Sequence, residues 1–323
     1  MRAAVDQQPA NAQTGANSIP AAVPRRRGAW WSFWTGLRQT LRCWPLCILF
    51  YIVLALFAGL LLLPLAKAMI DWIGYRLAAH EMAAGTASWL AVETIWQPRA
   101  GALLGLLLLS LPAWPFLLSL PFTILSGGAL DLYAADLPRI QWKRFWRRTG
   151  SFALPFIGLL LLEVVFLELG LLLGVAAILA VYVFTGSEIV ALLPALLLAA
   201  LLVLVPWWIE YARVVAVLRH DRNIPRALGR SAVFLRRNLN PAAGLALLSF
   251  VLYLVPYAPY YLLSWLLPGA WWPGHILLQQ LLVFVAVGTR LARLAAQVRL
   301  VQARGGRVAA DAAVVKTTDG PSA

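Results

Sequence analysis

Charge is scarce in this chain. Only 12% of its 323 residues are Asp, Glu, Lys or Arg, where a soluble domain carries roughly a quarter. Apolar residues make up 62%, and the mean hydropathy is +0.78. Such a chain cannot cover itself with polar surface in water, which excludes an ordinary soluble fold. With lipid as solvent it is stable if its backbone is hydrogen-bonded internally, in helices or in a closed barrel. Alternation of polar and apolar residues is missing too. The apolar runs are continuous and rich in Leu and Ala, so they predict helices rather than barrel strands.

Residues that carry chemistry are equally few. The two cysteines, Cys43 and Cys47, are four apart at the start of the first apolar run and read as small apolar residues of one helix face. The three histidines, His80, His220 and His275, match no metal spacing. No phosphate-binding glycine loop, no G-x-S-x-G and no H-E-x-x-H occurs. The expectation is a non-enzymatic protein without cofactor or metal.

What is present is basic charge, and its placement is informative. The net charge is +14. The cations lie between apolar runs rather than on a separate domain, which argues against nucleic acid and for anionic headgroups. The densest group is the stretch from Trp207 to Pro241, with Arg213, Arg219, Arg222, Arg226, Arg230, Arg236 and Arg237. Six spans are predicted, at about 45–66, 101–130, 151–184, 189–217, 242–266 and 275–295. They make up a transmembrane domain of residues 25–302, between disordered tails at 1–24 and 303–323. The predicted class is all-α, a polytopic bundle with short amphipathic helices on its cytoplasmic side. Arg25–Arg27 are followed by no compact apolar run with a cleavage site, which argues against a cleaved signal. Of the 27 Lys and Arg, 24 fall on one side of this threading and only Lys67, Arg76 and Arg99 on the other. The positive-inside rule then places both termini in the cytoplasm of a bacterial cell, with the spans in its inner membrane.

Details along the chain refine this. The segment 71–99 reads as the one sizeable outer loop, with a short helix over Trp89 to Trp96. Pro112, Pro115 and Pro121 predict a kinked second span, and Gly127-Gly128 allows a close helix approach or a bend. Gly186-Ser187-Glu188 predicts a tight outer turn. Pro256 and Pro259 disturb the fifth span, near the belt of Trp265, Trp271 and Trp272. A basic–aromatic helix, a breaking residue and then a span recur at Trp34 to Pro45, Trp142 to Pro155 and Ile224 to Pro241.

Three groups of candidate residues follow. Glu163 and Glu168 lie inside the third span, where carboxyls are rare and face a bundle interior or water. Five positions apart, they point about 140° from each other. No cation is expected at their depth, and Gln279 and Gln280 are their candidate hydrogen-bond partners. Glu210 and Arg213, three apart, are expected to pair on one helix face, with Asp131 and Tyr133 joining them. In the arginine stretch, Asn223 and Pro225 predict a helix start. Ile224, Leu228, Ser231 and Leu235 form one face, and Arg226, Arg230 and Arg237 the other. With Arg236, these arginines are candidates for contact with headgroups or a protein partner, a second copy of the chain included.

Four phrases carry a resemblance: GLRQTLRCWPL, YRLAAHEMAAGTASWL, SGGALDLYA and YARVVAVLRHDRNIPRALGRSAVFLRRN. They are spread from Gly36 to about Gln302. In them the chain resembles a family of six-helix bacterial integral membrane proteins. The last phrase is similar, more loosely, to the cytoplasmic loop of membrane domains fused to glycerophosphodiesterases. The resemblance implies the six-span fold and its membrane, and brings no catalytic residue. Three functions stay open at this point: a scaffold or accessory that binds lipid or protein, a small transporter using proline-broken helices with Glu163 or Glu168, and, behind these for want of a nucleophile or metal set, a lipid-modifying enzyme.

Overall fold

A computed structural model describes residues 28–73, 113–137, 139–266 and 272–318. Among the described residues there are nine helices and no strand. They are α1 (Ala29–Arg42), α2 (Trp44–Ile73), α3 (Ala113–Ala135), α4 (Trp142–Thr185), α5 (Glu188–Leu218), α6 (Ile224–Arg237), α7 (Leu239–Leu254), α8 (Tyr257–Leu266) and α9 (Trp272–Thr318). Six segments are long and apolar enough to cross a membrane: Trp44–Leu63, Phe116–Ala135, Trp142–Thr185, Glu188–Leu218, Leu239–Leu263 and Pro273–Arg304. The predicted tail 1–24, the helix over Trp89 to Trp96 and the first part of the second span lie outside the described residues.

Local chemistry explains the joints. Helix α1 ends at Cys43, whose N–H bonds the carbonyls of Gln39 and Thr40. Pro45 then occupies the first turn of α2, where no backbone donor is needed. Between α4 and α5, Gly186 takes the left-handed conformation at φ 62° and its N–H closes onto Tyr182 O at 2.8 Å. Helix α7 stops at Leu254, and α8 starts beyond Pro256, so the fifth span is broken where its prolines predict.

One expectation changes. The basic–aromatic stretch from Trp142 is no separate helix: it runs straight into the third span, with Pro155 inside one 44-residue helix. A proline deletes one hydrogen bond, and helices packed on both sides hold the rest together. Pro121 also lies within a helix, α3, inside the predicted second span. Helix α9 runs to Thr318. Its last third is rich in Ala, the strongest helix former.

Packing is concentrated at one end of the bundle. The fully buried Leu46, Phe50, Leu130, Tyr133, Phe145, Phe152, Phe156, Ile209, Tyr211 and Leu291 all belong to a single cluster there. Small residues bring the backbones close, as helices in lipid require. A Cβ on Gly36 of α1 would lie 2.4 Å from the backbone N of Ala296 of α9. On Gly128 of α3 it would lie 2.4 Å from Thr149 Oγ1 of α4. Gly127-Gly128 is therefore a close approach. Toward the other end, the halves of α4 and α5 that flank Gly186 touch chiefly each other, through Gly170 on Leu201 and Gly174 on Leu198. Phe184 and Ile189 are 87% and 80% exposed there, as apolar side chains facing hydrocarbon would be.

Candidate functional site

The packed end collects the polar residues of five helices. Helix α5 is its axis, because α4 lies on one side of it and α9 on another. Arg213 of α5 reaches Glu163 of α4, Nη2 to Oε2 at 2.6 Å. Three residues earlier, Glu210 is taken up by α9 instead. It accepts from Arg293 Nη2 of α9 and, at 3.1 Å, from Gln297 Nε2. Arg290, Arg293 and Gln297 stand on one face of α9 at spacings of three and four. The Arg290 guanidinium lies over the Phe122 ring of α3, 3.9 Å from its centroid, a favourable cation–π placement.

The expected Glu210–Arg213 pair is thus not formed. Each residue is drawn instead to an opposite charge on a neighbouring helix. Glu163, expected to lack a cation at its depth, has Arg213. Arg213 lies in the predicted fourth span, and α5 stays helical through Leu218; what sequence reading missed is that it stands level with Glu163. The turn at Gly186 supplies a signal that finds it: an antiparallel hairpin folded there sets residue 163 opposite residue 210, one turn from Arg213. Glu168, about 7.5 Å further along α4, joins no ion pair among the described residues. Neither glutamine meets a glutamate. Gln280 Oε1 accepts from Tyr51 OH at 2.8 Å, tying α9 to α2, and Gln279 is exposed.

Asp131 and Tyr133 do not join this cluster either. Asp131, buried in α3, is paired with Arg144 at 2.5 Å and Arg148 at 3.2 Å, both of α4. The nearness of α3 and α4 through Gly127-Gly128 makes these the closest cations. Tyr133 presents its carbonyl to Gln39 Nε2 of α1 at 3.0 Å. Gln39 Oε1 in turn accepts from Arg299 Nε at 3.2 Å, and Arg299 also pairs with Asp136. Gln302 donates to Ala134 O at 2.9 Å. Gln39, Asp136, Gln297, Arg299 and Gln302 are polar partners that sequence reading passes over. Only the helical face shared by Arg290, Arg293 and Gln297 marks any of them in advance.

Outside this network lies the arginine stretch. Helix α6 starts as its residues predict: Asn223 Oδ1 accepts from Arg226 N at 3.4 Å. Its apolar face is turned onto the bundle. Ala227, Ser231, Phe234 and Leu235 are buried, Phe234 stacks on Tyr211 with centroids 5.7 Å apart, and Trp208 donates to Leu228 O. Protein rather than lipid covers that face. Arg230 is bound to Asp221 at 2.5 Å. Arg226, Arg236 and Arg237 are exposed, with no ion pair among the described residues.

Comparison with family models, with curated proteins and with solved structures finds no match to this chain. Its own geometry therefore carries the functional argument. Among the described residues no group of His, Cys, Asp and Glu could hold a metal ion. Cys43 and Cys47 are buried free thiols, and burial pushes the Cys43 thiol above its ordinary range. At the packed end Asp131, Glu163 and Glu210 are committed to guanidiniums of neighbouring helices, so the arrangement locks helices together and leaves cations on the outside.

Proposed function

We propose that this chain is a non-enzymatic, multi-pass protein of a bacterial cytoplasmic membrane. On this reading its packed, basic end faces the cytoplasm and serves as a scaffold or accessory surface for anionic lipid. A protein partner, a second copy included, is the other occupant of the same surface. The proposal extends to membership of the six-helix family that its sequence phrases resemble. The observation that carries it is the sorting of charge. Carboxylates at that end are consumed in cross-helix pairs, while Arg226, Arg236 and Arg237 stay exposed beyond them. Each such cation near an anionic leaflet adds about 1 kcal/mol. The exposed Trp30, Trp34, Trp44, Trp142 and Trp146 at the same end fit an interfacial belt, with α1 and α6 at headgroup level.

Transport is the weaker reading. The broken fifth span favours it, but Glu163, its candidate coupling group, is neutralised by Arg213.

The test replaces Arg226, Arg230, Arg236 and Arg237 by Gln together. Nanodisc-held protein should bind liposomes containing phosphatidylglycerol, and the variant should bind them at least roughly tenfold more weakly at low salt. Equal binding by both forms removes the case for a functional basic surface.

A further inference from the structure

A groove of about 520 Å³ runs along the side of the bundle between α7 and α9, with Phe122 and Trp207 at its back. Small side chains open it: Ala246 and Ser249 on α7, Ala286 and Thr289 on α9. Its outer rim is made of the exposed Phe250, Tyr253 and Val283, so it faces whatever surrounds the helices rather than either end. Along α9 it extends from Leu282 to Arg293, about 16 Å at the helical rise. That is roughly the hydrocarbon depth of one leaflet. Tyr253 and Tyr257, joined hydroxyl to hydroxyl at 2.7 Å, lie at the far end.

The near end is cationic. Arg290 and Arg293 line it, and the Nε of each is closed off from solvent without an acceptor. Arg293 spends its Nη2 on Glu210. Among the described residues Arg290 is paired with no carboxylate, and only the Phe122 ring stands against its guanidinium. The local balance is positive: Glu163 and Glu210 face Arg213, Arg290 and Arg293. An unmatched guanidinium in a span is costly and calls for a counter-charge. Arg290 stands 18 residues after Trp272, about 27 Å along α9. Trp272 opens the helix at the opposite end, and the hydrocarbon core is ~30 Å thick. Arg290 is thus at the depth where the acyl region gives way to headgroups.

We infer that the groove is a site for one anionic phospholipid. Its phosphate sits against Arg290 and Arg293, and one acyl chain lies along the apolar wall toward Tyr253. The phosphate meets the two guanidiniums where their side chains are partly exposed. A neutral zwitterionic lipid supplies a phosphate as well, but brings its own cation to a positive site, so the groove selects net negative charge. This site is separate from the exposed arginines of α6, none of which lines the groove.

The experiment uses the full chain, extracted from membranes holding phosphatidylcholine and phosphatidylglycerol, with retained lipid counted by native mass spectrometry. The unaltered protein should keep phosphatidylglycerol over phosphatidylcholine. Arg290→Gln should lower that retention roughly tenfold, the worth of a charge-assisted hydrogen bond. Ala246→Phe, which fills the groove and leaves both arginines, should do the same. Retention unchanged in either variant overturns the site, as does retention of added inorganic phosphate without lipid. In a second arm, a photoactivatable phosphatidylglycerol is applied to the unaltered protein, which needs no variant to fold. Crosslinks should fall on 246–253 and 282–289 and be absent with the phosphatidylcholine probe. Crosslinks spread evenly over the outer faces of α2, α4 and α5 would overturn it. Equal liposome binding by the four-arginine variant, with phosphatidylglycerol retention in the groove intact, would fail the basic surface alone and leave the groove standing.

Discussion

Single small residues decide how closely these helices approach. At Gly128 the added methyl of an alanine would meet Thr149 Oγ1 at 2.4 Å and the Phe145 carbonyl at 2.7 Å. One of these is backbone, so α3 and α4 must separate. Gly150, by contrast, has nothing within 4 Å of the same position. Gly128→Ala should destabilise the folded protein by about 1–3 kcal/mol, the usual cost of overpacking. Gly150→Ala should be neutral or slightly stabilising, since alanine is the better helix former. Unfolding of both variants in mixed micelles by SDS measures the difference; equal midpoints would mean that α3 and α4 do not touch there. The same separation would pull Asp131 from Arg144 and Arg148, so the loss at Gly128 should be cooperative with loss of those pairs.

Between elements, the hairpin of α4 and α5 shows what a sequence discloses and what it withholds. Its turn is legible, because only glycine is at ease at the positive φ of residue 186. So are the lengths of its arms, and from turn and lengths follows the register that brings Glu163 near Arg213. The choice between the in-helix Arg213 and Arg293 of α9 as the partner of Glu210 is not legible, because it depends on how near α9 lies. The amphipathic period of α6 is legible in the same way, while its burial against Tyr211 is not: an apolar face is the same whether lipid or protein covers it. The Glu163–Arg213 pair is only 16% and 5% exposed, so removing one partner leaves an uncompensated charge. Arg213→Ala should cost about 3–5 kcal/mol. Replacing both residues by Met should restore most of that, since apolar packing substitutes well for a buried pair. A double variant no better than Arg213→Ala would show that Glu163 draws its stability from another group.

At the scale of the molecule, the basic segments among the described residues meet at one end. Gln39 to Tyr133, Asp131 to Arg144, Glu163 to Arg213, Glu210 to Arg293 and Arg304 to Asn238 join α1, α3, α4, α5, α9 and the start of α7 there. Gly186 and the start of α9 lie at the other. A bundle so polarised has one orientation that satisfies the positive-inside rule, and two exposed positions report it. Gly229 of α6 has nothing within 4 Å of its missing Cβ, and Glu188 opens α5 at the far end. Cysteine at either should react with a maleimide. The native thiols contribute little background: both are buried, and the raised pKa of Cys43 keeps it protonated, hence unreactive, at neutral pH. In intact spheroplasts a membrane-impermeant maleimide should label Glu188→Cys at once and Gly229→Cys only after the membrane is opened. The reverse order would put the arginines of α6 outside the cell and remove the cytoplasmic leaflet as their target. Labelling of both before permeabilisation would mean that the helices do not cross the bilayer.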